Sequence, residues 1–196
     1  MLHALTNTEL CTVKRKKSMN QAAGYRHASE GTDPVTGLLN RTALEHDLRL
    51  EIHRAVRYCF PLSVIIVSID GYDEISRDYG SDIACNILRK TGQMLRNSVR
   101  KVDMVYRYSN TKFVLVLPHT DKDSSSITAE RILGRIRRHI FSSGGEGHKI
   151  SLHASAGIAE MKVDDDPATI LFLAEKALRR TSTDGGRPVS SSSGTP

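Results

Sequence analysis

The stretch "LSVIIVSI" (62–69) constrains this chain more than any other. A nearly unbroken β-branched run is stiff at χ1 and favours a strand over a helix. Its two faces are both apolar, which suits a strand in the middle of a sheet covered on each side. The flanking sequence supplies the cover. Leu44, Leu48, Ile52 and Val56 recur at helical spacing and predict a helix over about 41–58. After the strand come a short helix near 72–79 and a longer one, in which Ile83, Ile87, Thr91, Leu95 and Val99 share a face. "MVYRY" and "KFVLVL" are two strands separated by "SNT", hairpin spacing with a turn-forming Asn. Ile132, Leu133, Ile136 and Ile140 mark the next helix, and "KISLHASAGIA" (149–159) reads as a strand. Asp166-Pro167 then provides a cap and a first-turn proline for a helix carrying Ile170, Leu171, Ala174 and Leu178.

The core order is therefore β–α–α–β–β–α–β–α with a helix in front. That order predicts an α+β fold of the ferredoxin-like, palm type: a central antiparallel or mixed sheet with helices packed against it. The 196 residues suit one domain, over about 32–187. Residues 1–31 lack apolar periodicity, carry "KRKK" at 14–17, and read as a flexible basic arm. "PVSSSSGTP" (188–196) reads as a disordered tail. Cys11, Cys59 and Cys85 form no metal-binding spacing, and three scattered thiols point to a reducing cytoplasm. No apolar stretch follows the basic cluster, so no signal peptide is expected, and Val64–Val67 is far too short to cross a bilayer. A net charge of +6 permits an acidic partner, but charge alone favours simple solubility.

The residues themselves carry a resemblance. "DPVTGLLNR" (33–41) is similar to the opening of GGDEF domains, the bacterial diguanylate cyclases. The similarity continues through "PLSVIIVSIDGY", "RKVDMVYRYSNTKFVLVLP", "SAGIA" and "AEKALRR", in order, over roughly residues 33–187. In this family two GTP molecules are joined with the help of a divalent cation held by carboxylates at the first strand and the hairpin tip.

Position by position, the resemblance implies that this chain lacks that chemistry. The family's first-strand metal Asp falls on Ser68, and the GGDEF tip on Ser109, Asn110, Thr111, Lys112 and Phe113. The tip acids are gone, and Lys112 would repel a cation. The base-reading Asn and Asp fall on Ser76 and Cys85, neither an ionised acceptor for guanine. Ser109 and Asn110 carry side chains where glycines admit the phosphates. The phosphate-binding Lys falls on Ser182, and Asp73 stands where the family has a Lys. Asp70 matches a surviving acid and is expected to cap locally or to pair with Lys112. The expectation is a non-enzyme with no metal and no cofactor. Asp33 and Arg41 are expected to pair across a turn bent at Gly37.

Arg100-Lys101-Val102-Asp103 precedes the hairpin at the separation of the family's inhibitory RxxD site, which binds cyclic di-GMP. A guanidinium forks onto guanine O6 and N7 or onto a phosphate, and a carboxylate accepts from the N1–H and N2–H2 edge. Arg131 matches a supporting Arg, Arg135 and Arg138 continue its face, and Arg57 and Arg54 are secondary candidates. Arg100 and Asp103 could instead form a solvated ion pair, though their position relative to the hairpin favours the ligand site; the Arg131 stripe could equally be a solvated helix face. The expected function is a cytoplasmic, non-catalytic cyclic di-GMP receptor that signals through an unidentified protein partner, with a homodimer bridged by ligand as one possible form. The alternative is a ligand-independent adaptor. No DNA-binding helix-turn-helix is visible, so no DNA partner is expected.

Overall fold

The computed structural model describes residues 31–142, 149–183 and 189–192. The expected arm, up to residue 30, and most of the expected tail lie outside the described residues. The elements follow as α1 (Arg41–Tyr58), β1 (Leu62–Ile69), α2 (Tyr72–Tyr79), α3 (Ser81–Arg96), β2 (Met104–Arg107) and β3 (Lys112–Pro118). Then come α4 (Lys122–Arg138), β4 (Ile140–Ser142), β5 (Lys149–Ser151), β6 (Ala154–Glu160), α5 (Pro167–Thr183) and β7 (Val189–Ser192).

β1 lies at the centre of a five-stranded sheet of order β2-β3-β1-β6-β7, antiparallel to β3 and to β6. Its alternation divides the core. Ile65, Val67 and Ile69 join α3 and α4 in one layer, with Phe113, Leu115 and Ile132. Leu62, Val64 and Ile66 join α1 and α5 in the other, with Leu44, Leu48, Ile170 and Ala174. Both faces are thus covered, as the run at 62–69 requires.

Local signals set the helix ends. Asn40 caps α1, its side chain accepting from the Ala43 N–H at 3.0 Å. Cys59 ends it in the left-handed conformation at φ 53°. Asp121 caps α4, and Asp166 caps the first turn of α5 through the Thr169 N–H at 2.7 Å.

The structure corrects several expectations. Val56 is exposed and Ala55 takes its place in the core, while Asp47 and Glu51 are also buried on that face of α1. Tyr106 explains part of this, donating its hydroxyl to Asp47 Oδ2 at 2.9 Å inside the core. α3 stops at Arg96, so Val99 packs from the following turn. α4 stops at Arg138, and Ile140 is an exposed residue of β4. The expected strand over 149–159 is two strands. β5 pairs with β4 in a separate hairpin that seals the end of the α3–α4 layer with Phe141 and Ile150. Within the tail read as disordered, Val189–Ser192 adds to β6 as a parallel edge strand. Its backbone pairs without needing the apolar pattern that sequence reading relies on.

Candidate functional site

Two neighbouring regions carry the polar side chains singled out above: the turn between α3 and β2, and the β2–β3 hairpin tip with its surroundings.

The first region begins where α3 ends. The Arg100 N–H donates to Asp103 Oδ2 at 2.8 Å, and the Asp103 N–H donates back to the Arg100 carbonyl at 3.2 Å, closing the four residues into a turn. Arg96, in the last turn of α3, donates to the Asp103 carbonyl at 2.7 Å. From α4, Arg131 reaches the Ser98 carbonyl at 2.9 Å and Arg135 reaches Ser98 Oγ at 3.2 Å. The α4 stripe is therefore tied to the same turn, and Arg100, Arg131 and Arg135 all remain exposed on it.

Asp103 is only 5% exposed, and its Oδ1 is buried without a hydrogen-bond donor. Burial pushes its carboxyl pKa upward; the Arg100 N–H and the charges of Arg100, Arg96 and Arg131 pull the other way. The turn thus offers an unsatisfied acceptor edged by guanidinium groups. Arg57 stands apart. It lies near the end of α1, on the helix that covers the opposite face of the sheet, with its guanidinium 5.4 Å from the Tyr58 ring centre. Arg96 was missed by sequence reading, although its place four residues before Arg100 at a helix end was a usable signal.

The second region is the hairpin. Arg107 pairs with Phe113, and the connection closes through N–H groups of Tyr108 and Ser109 donating to the Lys112 carbonyl at 2.9 and 3.2 Å. Tyr108 belongs to this connection and not to the strand. Arg107 folds over the tip, donating through Nε to the Ser109 carbonyl and through Nη2 to the Asn110 carbonyl. Burial lowers its pKa, and its Nη1 is buried without an acceptor.

Register sets Ser68 of β1 opposite Lys112 on one side and Ser155 on the other. Lys112 Nζ lies 3.3 Å from Glu175 Oε1 of α5, and Arg179 also reaches Glu175, at 3.7 Å. Asp70 accepts from Ser155 Oγ at 3.0 Å. The expected Asp70–Lys112 pair is therefore replaced by Lys112–Glu175, because β3 presents its first residue to α5. The expected Asp33–Arg41 pair is replaced as well. Asp33 Oδ1 accepts from the N–H and Oγ1 of Thr36, at 2.8 and 2.7 Å, while Arg41 bonds Glu45 at 3.1 Å. Gly37 makes the bend between them at φ 70°. Ser76 on α2 and Cys85 on α3 are both half-buried, Cys85 close enough to Tyr72 and Arg107 to bear on the ionisation of each. Ser182 falls in the last turn of α5, and its side chain lies outside the described residues. Among the described residues, no group of three or more His, Cys, Asp or Glu side chains could hold a metal ion.

A palm-type α+β sheet with a central hairpin defines the class; the comparisons define the family. Residues 30–187 match the family model "Diguanylate cyclase, GGDEF domain". The diguanylate cyclase DosC of Escherichia coli strain K12 is 34% identical over 148 residues, covering 76% of this chain and 32% of DosC. The diguanylate cyclase DgcP of Pseudomonas aeruginosa is 30% identical over 180 residues, covering 88% of this chain and 26% of DgcP. Among solved structures, the GGDEF domain of DgcB from Caulobacter crescentus in complex with c-di-GMP superposes with a TM-score of 0.80 at 17% identity, covering 88% of this chain and 98% of that one. The diguanylate cyclase SiaD in complex with its activator SiaC, from Pseudomonas aeruginosa, superposes with a TM-score of 0.78 at 24% identity, covering 82% of this chain and 61% of that one. This chain belongs to the GGDEF domain family. It spans a third or less of the length of the curated relatives named here.

Proposed function

We propose that this GGDEF domain is a non-catalytic receptor for cyclic di-GMP, read out through contact with a protein partner. The observation that carries the proposal is a division of charge. Arg100, Arg131 and Arg135 are exposed around one turn with the buried acceptor of Asp103, while the hairpin tip has a lysine where a metal site needs an acid.

The donor set around Lys112 does not fit a divalent cation. Ser68 stands opposite it in register with Ser155 beyond, its own ammonium is paired with Glu175, and Asp70 is already bonded to Ser155. Mg²⁺ needs hard anionic oxygens in near-octahedral array. Two carboxylates, one engaged by an ammonium and the other by a hydroxyl, do not supply them, so no cyclising step is assigned to these residues.

At the RxxD turn the roles follow from the side chains. Arg100 has a planar donor fork for a guanine O6/N7 edge or a phosphate. Asp103 Oδ1, lacking a donor, accepts from a guanine N–H edge once the turn opens to admit it. Arg131 and Arg135 then hold a phosphate from α4, exchanging their bonds to Ser98 for it. The adaptor alternative draws on one observation, the closure of Asp103 onto the Arg100 N–H, which a purely structural turn also uses.

The test has two arms. Incubation with GTP and Mg²⁺ or Mn²⁺ is expected to yield no cyclic di-GMP; product above a no-protein control that is lost in Asp70→Ala would overturn the non-catalytic reading. Arg100→Ala and Asp103→Ala are each expected to weaken cyclic di-GMP at least about tenfold, since a charge-assisted contact is worth roughly 1.5–3 kcal/mol. Wild-type affinity in Arg100→Ala would leave the adaptor.

A further inference from the structure

Around the same turn, two apolar side chains are left in water. Val102, between Lys101 and Asp103, is 62% exposed. Ile127, one helical turn before Arg131 on α4, is 66% exposed, the largest exposure among the large hydrophobic side chains of the described residues. Neither is needed by a turn or a helix, and neither is suited to a phosphate or a guanine edge. Ile127, Arg131 and Arg135 recur at i, i+4 and i+8, so they form one stripe along α4. The bonds from Arg131 and Arg135 to Ser98 bring that stripe against the turn that carries Arg100, Lys101 and Val102.

We infer that this composite face docks an acidic segment of a partner protein, with apolar anchors seated on Val102 and Ile127 and carboxylates on the surrounding cations. Charge selects the occupant. A second copy of this chain would set two faces of the same cationic residues against each other, on a molecule already at +6. An acidic partner meets them with the opposite sign, which speeds encounter and fixes register. Arginine is enriched at protein interfaces, and the fully buried centre of an interface is more apolar than the surrounding surface, which suits Val102 and Ile127 among these cations. Because Arg100 and Arg131 would be shared, a partner held here and a dinucleotide held at the RxxD turn exclude each other; that exclusion alone rests on the receptor reading above.

Fluorescence anisotropy of the full chain tests this with a labelled helical peptide rich in Glu and carrying Leu at i, i+4 and i+7. Its controls are a peptide of equal charge with the Leu replaced by Ser, and a labelled DNA duplex. Expected are saturable binding of the Leu peptide, at least about tenfold tighter than the Ser peptide, and a loss of at least about fivefold in Ile127→Ser and in Val102→Ser. Arg135→Glu is expected to abolish binding, and excess cyclic di-GMP to displace the peptide. Ile127→Ser should leave cyclic di-GMP affinity unchanged, which separates the dock from the nucleotide site. Equal binding of the two peptides, insensitivity to Ile127→Ser, or tighter binding of the duplex would overturn the docking proposal. Peptide binding that cyclic di-GMP fails to displace would keep the dock and remove the exclusion.

Discussion

Gly157 and Gly37 are glycines for different physical reasons, and alanine at each separates them. Gly157 lies in β6 under α5. A Cβ there would stand 2.2 Å from the Ala174 carbonyl oxygen and 2.3 Å from the Leu178 nitrogen, both helix backbone. Neither atom can swing aside as a side-chain tip could, so α5 must retreat by roughly 1 Å to reach ordinary contact distance. A gap of that size forfeits about a quarter to a half of each dispersion contact it opens. Ile170, Ala174 and Leu178, all in the core of that layer, share the loss. The expected cost is about 3 kcal/mol, the upper end of ordinary overpacking. For a chain of this length that lowers Tm by about 6–12 °C. Gly37 has nothing within 4 Å of its would-be Cβ, but holds φ at 70°. Alanine there bears only the left-handed backbone cost, about 1–2 kcal/mol. Urea unfolding followed by far-ultraviolet circular dichroism compares the two. A Gly157→Ala change within about 0.5 kcal/mol of wild type, or smaller than that of Gly37→Ala, would refute the close helix–strand approach.

Three further outcomes follow from the same contacts. Lys112→Glu sets a carboxylate against Glu175 across a partly exposed gap and should cost about 1–2 kcal/mol in urea unfolding, with the swapped pair Lys112→Glu/Glu175→Lys recovering most of it; no recovery would show that the 3.3 Å pair is incidental. Tyr106→Phe removes one donor to buried Asp47, which also lies 3.2 Å from His46 Nδ1, and should cost about 1–3 kcal/mol, whereas a neutral effect would mean that the 2.9 Å bond is incidental. Burial raises the carboxyl pKa of both Asp103 and Glu51, so their contribution to stability is fully present below their unfolded values and is lost as pH rises through the raised folded ones. Asp103→Asn should therefore flatten the fall in urea midpoint above pH 3.8, while cyclic di-GMP binding to wild type, which needs the ionised acid, strengthens with pH over that window; an unchanged midpoint profile in the variant would contradict the assignment.

Much of the fold was legible because the strongest signals were local and redundant. The run at 62–69, the helix carrying Leu44 and Leu48, and the Asp166-Pro167 start each match one period or one cap. What failed was decided by tertiary contact. Asp47 and Glu51 look like solvent residues on a helix, yet Asp47 is held inside by Tyr106, fifty-nine residues away. Ile140 fits the helical period of α4 but is taken by a hairpin whose partner strand is β5. Val189–Ser192 has the composition of a tail and is ordered by backbone pairing to β6. At the candidate site, the resemblance singled out Arg100, Asp103 and Arg131, and the structure ties Arg131 and Arg135 to that turn through Ser98; the choice of Glu175 as the partner of Lys112 was not legible, because α5 follows β3 at long range. Arg57 was expected to contribute from the first helix, and the sheet places that helix on the other face.

The measurement that bears most directly on the account is an isothermal titration of the full chain with cyclic di-GMP, repeated with GTP and Mg²⁺. Saturable heat is expected at micromolar cyclic di-GMP and none with GTP and Mg²⁺, since the arginine-edged turn is intact and the hairpin tip presents Lys112 to a cation. No heat with cyclic di-GMP, or binding of GTP that depends on Mg²⁺, would contradict it.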